Sequence, residues 1–371
     1  MSPLIPKADF IGIEQVAHLA AGGEAPVLAS HLGAAGRFLF DKGVGMPGRE
    51  RMYDVVGNVR AGLGRLLGVA AEDVALLLNA GAGLHAVASG IDWGAGDNVV
   101  MARSEFPSLI HVWQALPGSP AEVRQVGDGI VPTLADYAAA IDSRTRVIAV
   151  SHVSYLTGAR LDLAALRALA DRHGARLVVD ASHALGVVPV DGALCDVVVS
   201  CAYKWLLATH GIGVFYVNSR RWPELAPGAV GWHSVVEESD WSRRAGYRLK
   251  ADSERFEPGN HAFISAYILD AALARLSALS PAQVEAHASG LGTMLIDGLR
   301  RLGLDVTTPL EPEARAGNIC FATDRSIELE AALRQRGVLV WGGDGRVRIS
   351  CHVYNDEADV ARAIDALAGL V

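Results

Sequence analysis

A chain of 371 residues is too long for one typical domain and fits two domains sharing a core. With 51% apolar and 20% charged residues it has the balance of an ordinary globular protein, so that core can be large. A net charge of −8 leaves no basic stripe to neutralise phosphates, which excludes a nucleic-acid or anionic-membrane partner but not a small anionic ligand held by a few donors.

The start, MSPLIPKADF, lacks a basic segment followed by an apolar one, so no signal peptide is expected. No uninterrupted apolar run approaches the roughly 18 residues of a membrane span. The four cysteines (Cys195, Cys201, Cys320, Cys351) have no CxxC spacing and read as reduced thiols, giving a cytoplasmic expectation with no metal site. Residues 1–20 read as an arm packing on the C-terminal part of the chain.

From about residue 70 to 215, β-rich runs alternate with helix signals. The first run, VALLL (74–78), leads into NAGAGLHAVASG (79–90). Gly81 and Gly83 let successive N–H groups and a helix N-terminus point at an anion. The same stretch matches a dinucleotide fingerprint through Gly81, Gly83 and Ala86, with Glu105 about 20 residues further on. A phosphate loop, a nicotinamide site and an unliganded turn all fit this stretch.

NVVMA (98–102) and RVIAV (146–150) follow, with a capping box at Thr133 and Asp136 between them. Asp162 caps AALRALADRH and Gly174 ends it. Next come RLVVD (176–180), DVVVS (196–200) and GVFYV (213–217). Such alternation predicts a mostly parallel sheet covered on both faces. Asp180 ends a buried strand, and ligands in such sheets sit beyond the strands' carboxyl ends. Lys204 follows the next run, so both side chains point into one crevice. An amine there is tolerated as a Schiff base, and pyridoxal phosphate needs both that amine and a carboxylate for its ring nitrogen. A helix-capping aspartate and a surface lysine are the plain alternatives.

Residues 234–256, rich in charge and aromatics, are the least regular stretch and suit a mobile or interface loop. Ser280-Pro281 then opens a long helix. NICFA, a helix over 327–336, VLVW, RVRIS and a helix from about Asp356 form a smaller α+β unit. The expected division is an arm (1–20), a large domain (21–256) and a small C-terminal domain (257–371).

SHVSYLTGARLDL, VVDASHALG, YKWLLATHGIG, RFEPGN and VRISCHVYNDEADV occur in the order found in class V aminotransferases, and the chain resembles that branch of fold-type I pyridoxal enzymes nearly throughout. The branch includes cysteine desulfurases, isopenicillin N epimerases and kynureninases. The resemblance implies an aspartate aminotransferase-like α/β fold with a mostly parallel mixed sheet in the large, pyridoxal-phosphate-binding domain. It also implies a homodimer with a shared active site, RFEPGN crossing to the partner's cofactor.

By position, the resemblance makes Lys204 the Schiff-base lysine and the base at Cα. Asp180 pairs with the ring nitrogen, and His183 lies near the ring hydroxyl. Phe106 stacks on the ring, and Ser151 lies near the cofactor. Ala82 and Gly83 give N–H groups to the phosphate, joined by Tyr203, Trp232 and Asn260. Arg348 clamps the substrate carboxylate, and strand alternation puts Arg346 on the same face.

Gly83 and Asn260 stand where relatives have threonines, and the loop in GVLVWGGDGRVRIS lacks the cysteine that desulfurases need. The expected activity is therefore that of an enzyme acting on a small L-amino acid through a Cα carbanion. A lyase cleaving at Cβ or eliminating a β-substituent leads, ahead of transamination and epimerisation, and cysteine desulfuration is disfavoured. A nicotinamide dehydrogenase using the glycine loop is the competitor from another class.

Overall fold

The computed structural model describes residues 1–115, 122–127, 131–236 and 246–371. Strand β1 (Ala17–His18) precedes helices α1 (Ser30–Gly43) and α2 (Met46–Leu67). A βα alternation follows: β2 (Val74–Leu77), α3 (Ala80–Ser89), β3 (Asn98–Ala102), α4 (Pro107–Gln114), β4 (Glu122–Val126), α5 (Leu134–Ala140), β5 (Thr145–Ser151), α6 (Leu163–His173), β6 (Arg176–Asp180), β7 (Val197–Cys201) and β8 (Gly213–Val217).

These strands form one seven-stranded sheet in the order β2-β8-β7-β6-β5-β3-β4. All neighbours are parallel except those of β8, which runs against both β2 and β7. The fold is therefore α/β with a mostly parallel mixed sheet. Period-two alternation divides the core between the two faces. Ile148, Val150, Leu177 and Val179 pack into one apolar cluster, and Val147, Ala149 and Val178 into the other.

The apolar runs lie within a residue or so of the observed strands, but β4 escapes that signal. Its sequence, EVRQV, is largely polar because it is an edge strand, paired only with β3, and its side chains are mostly unburied. The cap signals are realised: Thr133 and Asp136 form a capping box, Asp162 caps α6, and Gly174 ends it at φ 68°.

After α7 (Phe263–Leu276) and α8 (Pro281–Arg301) come β9 (Asp305–Val306), β10 (Asn318–Ala322), α9 (Ser326–Gln335), β11 (Val338–Leu339), β12 (Trp341–Gly343), β13 (Arg346–Ser350) and α10 (Glu357–Ala368). Strands β12-β13-β10-β9 make an antiparallel sheet with its own apolar cluster. The N-terminal segment lies along this unit: β1 pairs with β11, and Lys7 bonds Asp359 at 2.6 Å. A turn of the large unit grips it as well, since Gly158 O accepts from Ala316 N–H at 3.0 Å. No single helix among the described residues is long and apolar enough to cross a membrane.

Part of the irregular stretch 234–256 lies outside the described residues. The described remainder is anchored. Arg255 donates to the carbonyls of Leu225, Ala251 and Asp252, and Phe256 packs on Phe215 with ring centroids 4.9 Å apart.

Candidate active site

Three neighbouring strands deliver their carboxyl ends to one cavity of about 500 Å³. β5 ends in Ser151, β6 in Asp180 and β7 in Cys201, and Lys204 follows three residues on. The Lys204 Nζ lies 3.1 Å from His183 Nε2 and 5.8 Å from the centroid of the Phe106 ring. Asp180 is buried, and its Oδ1 accepts from Ser182 N–H at 2.8 Å. Burial raises the Asp180 carboxyl above its ordinary range, against the pull of Ser182 and the Lys204 charge. A carboxylate in that position keeps its charge best when a cation lies against it. Burial, reinforced by the charges of Lys204 and Arg348, holds His183 well below the usual imidazole range, so its ring is neutral.

The glycine loop corrects one expectation. Asn79 caps α3, its Oδ1 accepting from Ala82 N–H at 2.8 Å, while Gly83 N–H bonds the Asn79 carbonyl. The two N–H groups assigned to an anion are thus taken. Ala80 and Gly81 line the cavity instead, and as the first helical residues they have no carbonyl a turn earlier to bond. Gly83 serves packing: a Cβ there would lie 2.8 Å from Val199 Cγ1 and 2.9 Å from the Phe215 ring.

Glu105 is not placed to hold a ribose. It is buried, and its Oε1 accepts from Ser151 N–H at 2.9 Å while Oε2 takes the Ser151 hydroxyl proton. Burial raises this acid to about 7. The nicotinamide reading loses its acidic residue, and Ser151 gains a rigid mount at the cavity wall.

Phe106 precedes α4, is partly exposed, and meets Tyr155 edge-on at 5.2 Å. Tyr203 lines the cavity and stacks on His210 with centroids 4.2 Å apart. Its phenol is pushed up to about 12, chiefly by burial. Arg348 lies beside the cavity, not on its wall. It is 4% exposed, donates to Tyr155 O at 3.0 Å and packs over Trp341. The Arg348 Nε is buried without a partner among the described residues, and Gly22 and Gly23 lie against the guanidinium. Arg346 turns to Asp344 O at 2.6 Å.

Trp232 and Asn260 do not face the cavity of their own chain. Trp232 stands partly exposed in a short turn, and Asn260 accepts from Arg49 at 2.6 Å at a second hollow. Nearby, His233, Glu257 and His261 cluster with metal-like spacing, but the Arg60 guanidinium already bonds Glu257 and supplies the positive charge. Sequence reasoning missed Asn79, Tyr155, His210 and Asn318. Asn79 carried the available signal of an N-cap residue before a helix; Asn318 carried none beyond heading an apolar strand.

Comparison with known proteins gives the family. The Aminotransferase class-V family model matches residues 47–363. The chain belongs to the class V aminotransferases. It is 27% identical over 308 residues to the uncharacterised aminotransferase YcbU of Bacillus subtilis, covering 82% of this chain and 80% of that one. It is 28% identical over 348 residues to isopenicillin N epimerase of Streptomyces clavuligerus, covering 84% of each. The apo cysteine desulfurase of Thermococcus onnurineus NA1 superposes with a TM-score of 0.90 at 22% identity, over 100% of this chain and 99% of that one.

The cofactor of this class V enzyme is pyridoxal 5′-phosphate, and the residues fit it. An amine, a buried carboxylate with no ion-pair partner among the described residues and a helix N-terminus open onto the same cavity. When bound, the cofactor supplies an aldehyde for an amine and a ring that spreads the charge left when a bond at Cα breaks.

Proposed function

We propose that this class V enzyme is a lyase acting on a small L-amino acid, cleaving at Cβ or eliminating a β-substituent. The observation that carries the reading is the Lys204–His183 contact of 3.1 Å beside buried Asp180. Lys204 holds the cofactor, then takes the Cα proton. The electron pair left at Cα forms a bond to Cβ as the substituent departs with its own pair and collects a proton. Asp180 would keep a proton on the cofactor's ring nitrogen, and Arg348, with a donor to spare, would take the substrate carboxylate. This route needs one base on one side of Cα, whereas epimerisation needs proton delivery from both.

The segment where desulfurases carry a loop cysteine supports their exclusion. Asp344 and Gly345, at φ 47° and 73°, make a two-residue hairpin turn between β12 and β13. All four cysteines are buried. Cys201 touches the cavity from a strand end, and burial raises its thiol, the opposite of an activated nucleophile.

We also infer a homodimer whose partner brings Trp232 and Asn260 to the phosphate, in the cytoplasm. Their position off the chain's own cavity supports it. So does the apolar surface of α1 and its end, where Leu32, Leu39, Phe40, Val44 and Met46 are exposed. The division into an arm (1–20), a large domain (21–256) and a small domain (257–371) is proposed on the same footing.

An amino-acid panel including S-substituted cysteines and kynurenine tests the reaction. Pyruvate, a freed thiol or a cleaved side chain marks a lyase. Strict dependence on a keto acid, sulfur transfer from cysteine, or deuterium wash-in with inversion would each replace that reading. The likeness to isopenicillin N epimerase makes inversion the outcome to test first among these.

A further inference from the structure

Asn318 and Ser350 belong to the small sheet, yet they reach the lysine–histidine pair. The two are register partners on β10 and β13, and both are fully buried. The Asn318 Nδ2 lies 2.9 Å from His183 Nδ1, and its Oδ1 accepts from Ser350 Oγ at 2.8 Å. On the far side of the ring, His183 Nε2 faces Lys204 Nζ. Resting on the pyridoxal reading above, we propose that Asn318, oriented by Ser350, is a positioning residue that keeps the His183 proton on Nε2.

A neutral imidazole has one N–H and one bare nitrogen, and an amide NH₂ can only donate. The nitrogen facing Asn318 Nδ2 must be the bare one, which sends the proton to Nε2 whenever Lys204 is held by the cofactor; a free Lys204 ammonium, 3.1 Å away and able only to donate, competes for Nε2 as an acceptor. Because His183 is held neutral, the choice between tautomers is a real one. Turning the amide over would reverse the result, but it would strand the Ser350 hydroxyl proton. Among the described residues Ser350 Oγ has no acceptor other than Asn318 Oδ1. A buried donor without a partner costs about 1–3 kcal/mol.

The pair is also closed in. A Cβ on Gly22 would lie 2.4 Å from Asn318 Oδ1 and 2.7 Å from Ser350 Oγ, and one on Gly158 would lie 2.0 Å from Asn318 O. Backbone fills the space on two sides, and the amide is held where it stands. The consequence reaches the cavity. A ring oxygen bearing negative charge is stabilised by an N–H at Nε2 and repelled by a bare nitrogen there. The small domain thereby sets the polarity of a group on the large one, through a side chain that touches neither substrate nor cofactor.

Protein labelled with ¹⁵N-histidine tests this through two-bond ¹H–¹⁵N correlations, with His183 identified by its loss in His183→Gln. The wild-type chain, after addition of pyridoxal phosphate, is expected to show the proton on Nε2. Asn318→Asp, whose carboxylate accepts, is expected to move the proton to Nδ1. Asn318→Leu is expected to mix the tautomers and to lower kcat about tenfold with KM little changed, the equivalent of one hydrogen bond. A wild-type proton on Nδ1, or a tautomer unmoved in Asn318→Asp, overturns the inference. Since the wild-type measurement needs no variant, poor folding of either does not shield it. A chain that takes up no pyridoxal phosphate defeats the cofactor reading instead; Lys204→Ala, which removes the competing ammonium, then reads the tautomer without the cofactor, and a proton on Nδ1 there overturns this inference.

Discussion

The wall of the cavity at Lys204 and the surface at Trp232 and Asn260 are built on opposite terms. Asp180, His183 and Ser151 hang on adjacent strand ends, are largely buried, and are held by Ser182, Asn318 and Glu105 within the same chain. Trp232 is exposed, Asn260 is bonded to Arg49, and neither lines that cavity. The first region is held together within one chain; the homodimer proposed above would give the second its role at a second copy's cavity. Substitutions in the two should therefore fail differently, one in chemistry and the other in cofactor retention that depends on assembly.

The largest effect is expected at Lys204. Lys204→Ala should fold, keep its oligomeric state and lose turnover by a factor on the order of 10³ or more, with no cofactor trapped covalently by borohydride. Trapping at another lysine, read by peptide mass spectrometry, would move the site away from the β6–β7 crevice. Arg348→Ala comes next. Loss of a charge-assisted contact to a carboxylate should cost roughly 2–3 kcal/mol in kcat/KM, about a hundredfold, and mainly in KM. An unchanged KM would mean that its buried guanidinium serves only Tyr155 and Trp341.

How far the sequence carries is explained by the same contrast. Asp180 and Lys204 were legible because a charged residue at the end of an apolar β run has few reasons to be there. The strands carrying them announced themselves through alternation, and edge strand β4 did not, because its exposed side chains are polar. The phosphate end was legible as a glycine turn, but not which of its N–H groups stay unbonded, since the Asn79 cap engages those of Ala82 and Gly83. Asn318 was silent: its role arises from register with Ser350 and from meeting His183 135 residues away in sequence.

A smaller effect sharpens the comparison on the dimer side. Asn260→Ala and Trp232→Phe should each weaken pyridoxal phosphate retention about tenfold, as one donor is lost to the phosphate. Equilibrium dialysis at protein concentrations above and below dimer dissociation measures it. Retention unchanged from wild type in both variants and independent of concentration would place the phosphate entirely within one chain.

The smallest effect concerns Glu105, the acid behind Ser151. Its folded carboxyl is raised to about 7 from an ordinary value of 4.5, chiefly by burial. The folded state therefore binds more protons than the unfolded one between those values. Its stabilising share is whole below about pH 4.5 and is lost as pH rises through 7. Glu105→Gln removes this titration while still accepting the Ser151 N–H bond through its amide oxygen. The wild-type melting temperature should fall between pH 5 and 8 by roughly 2–3 °C more than that of Glu105→Gln. Parallel curves would mean that Glu105 stays ionised when buried, and that Ser151 is held by a full charge at the cavity wall.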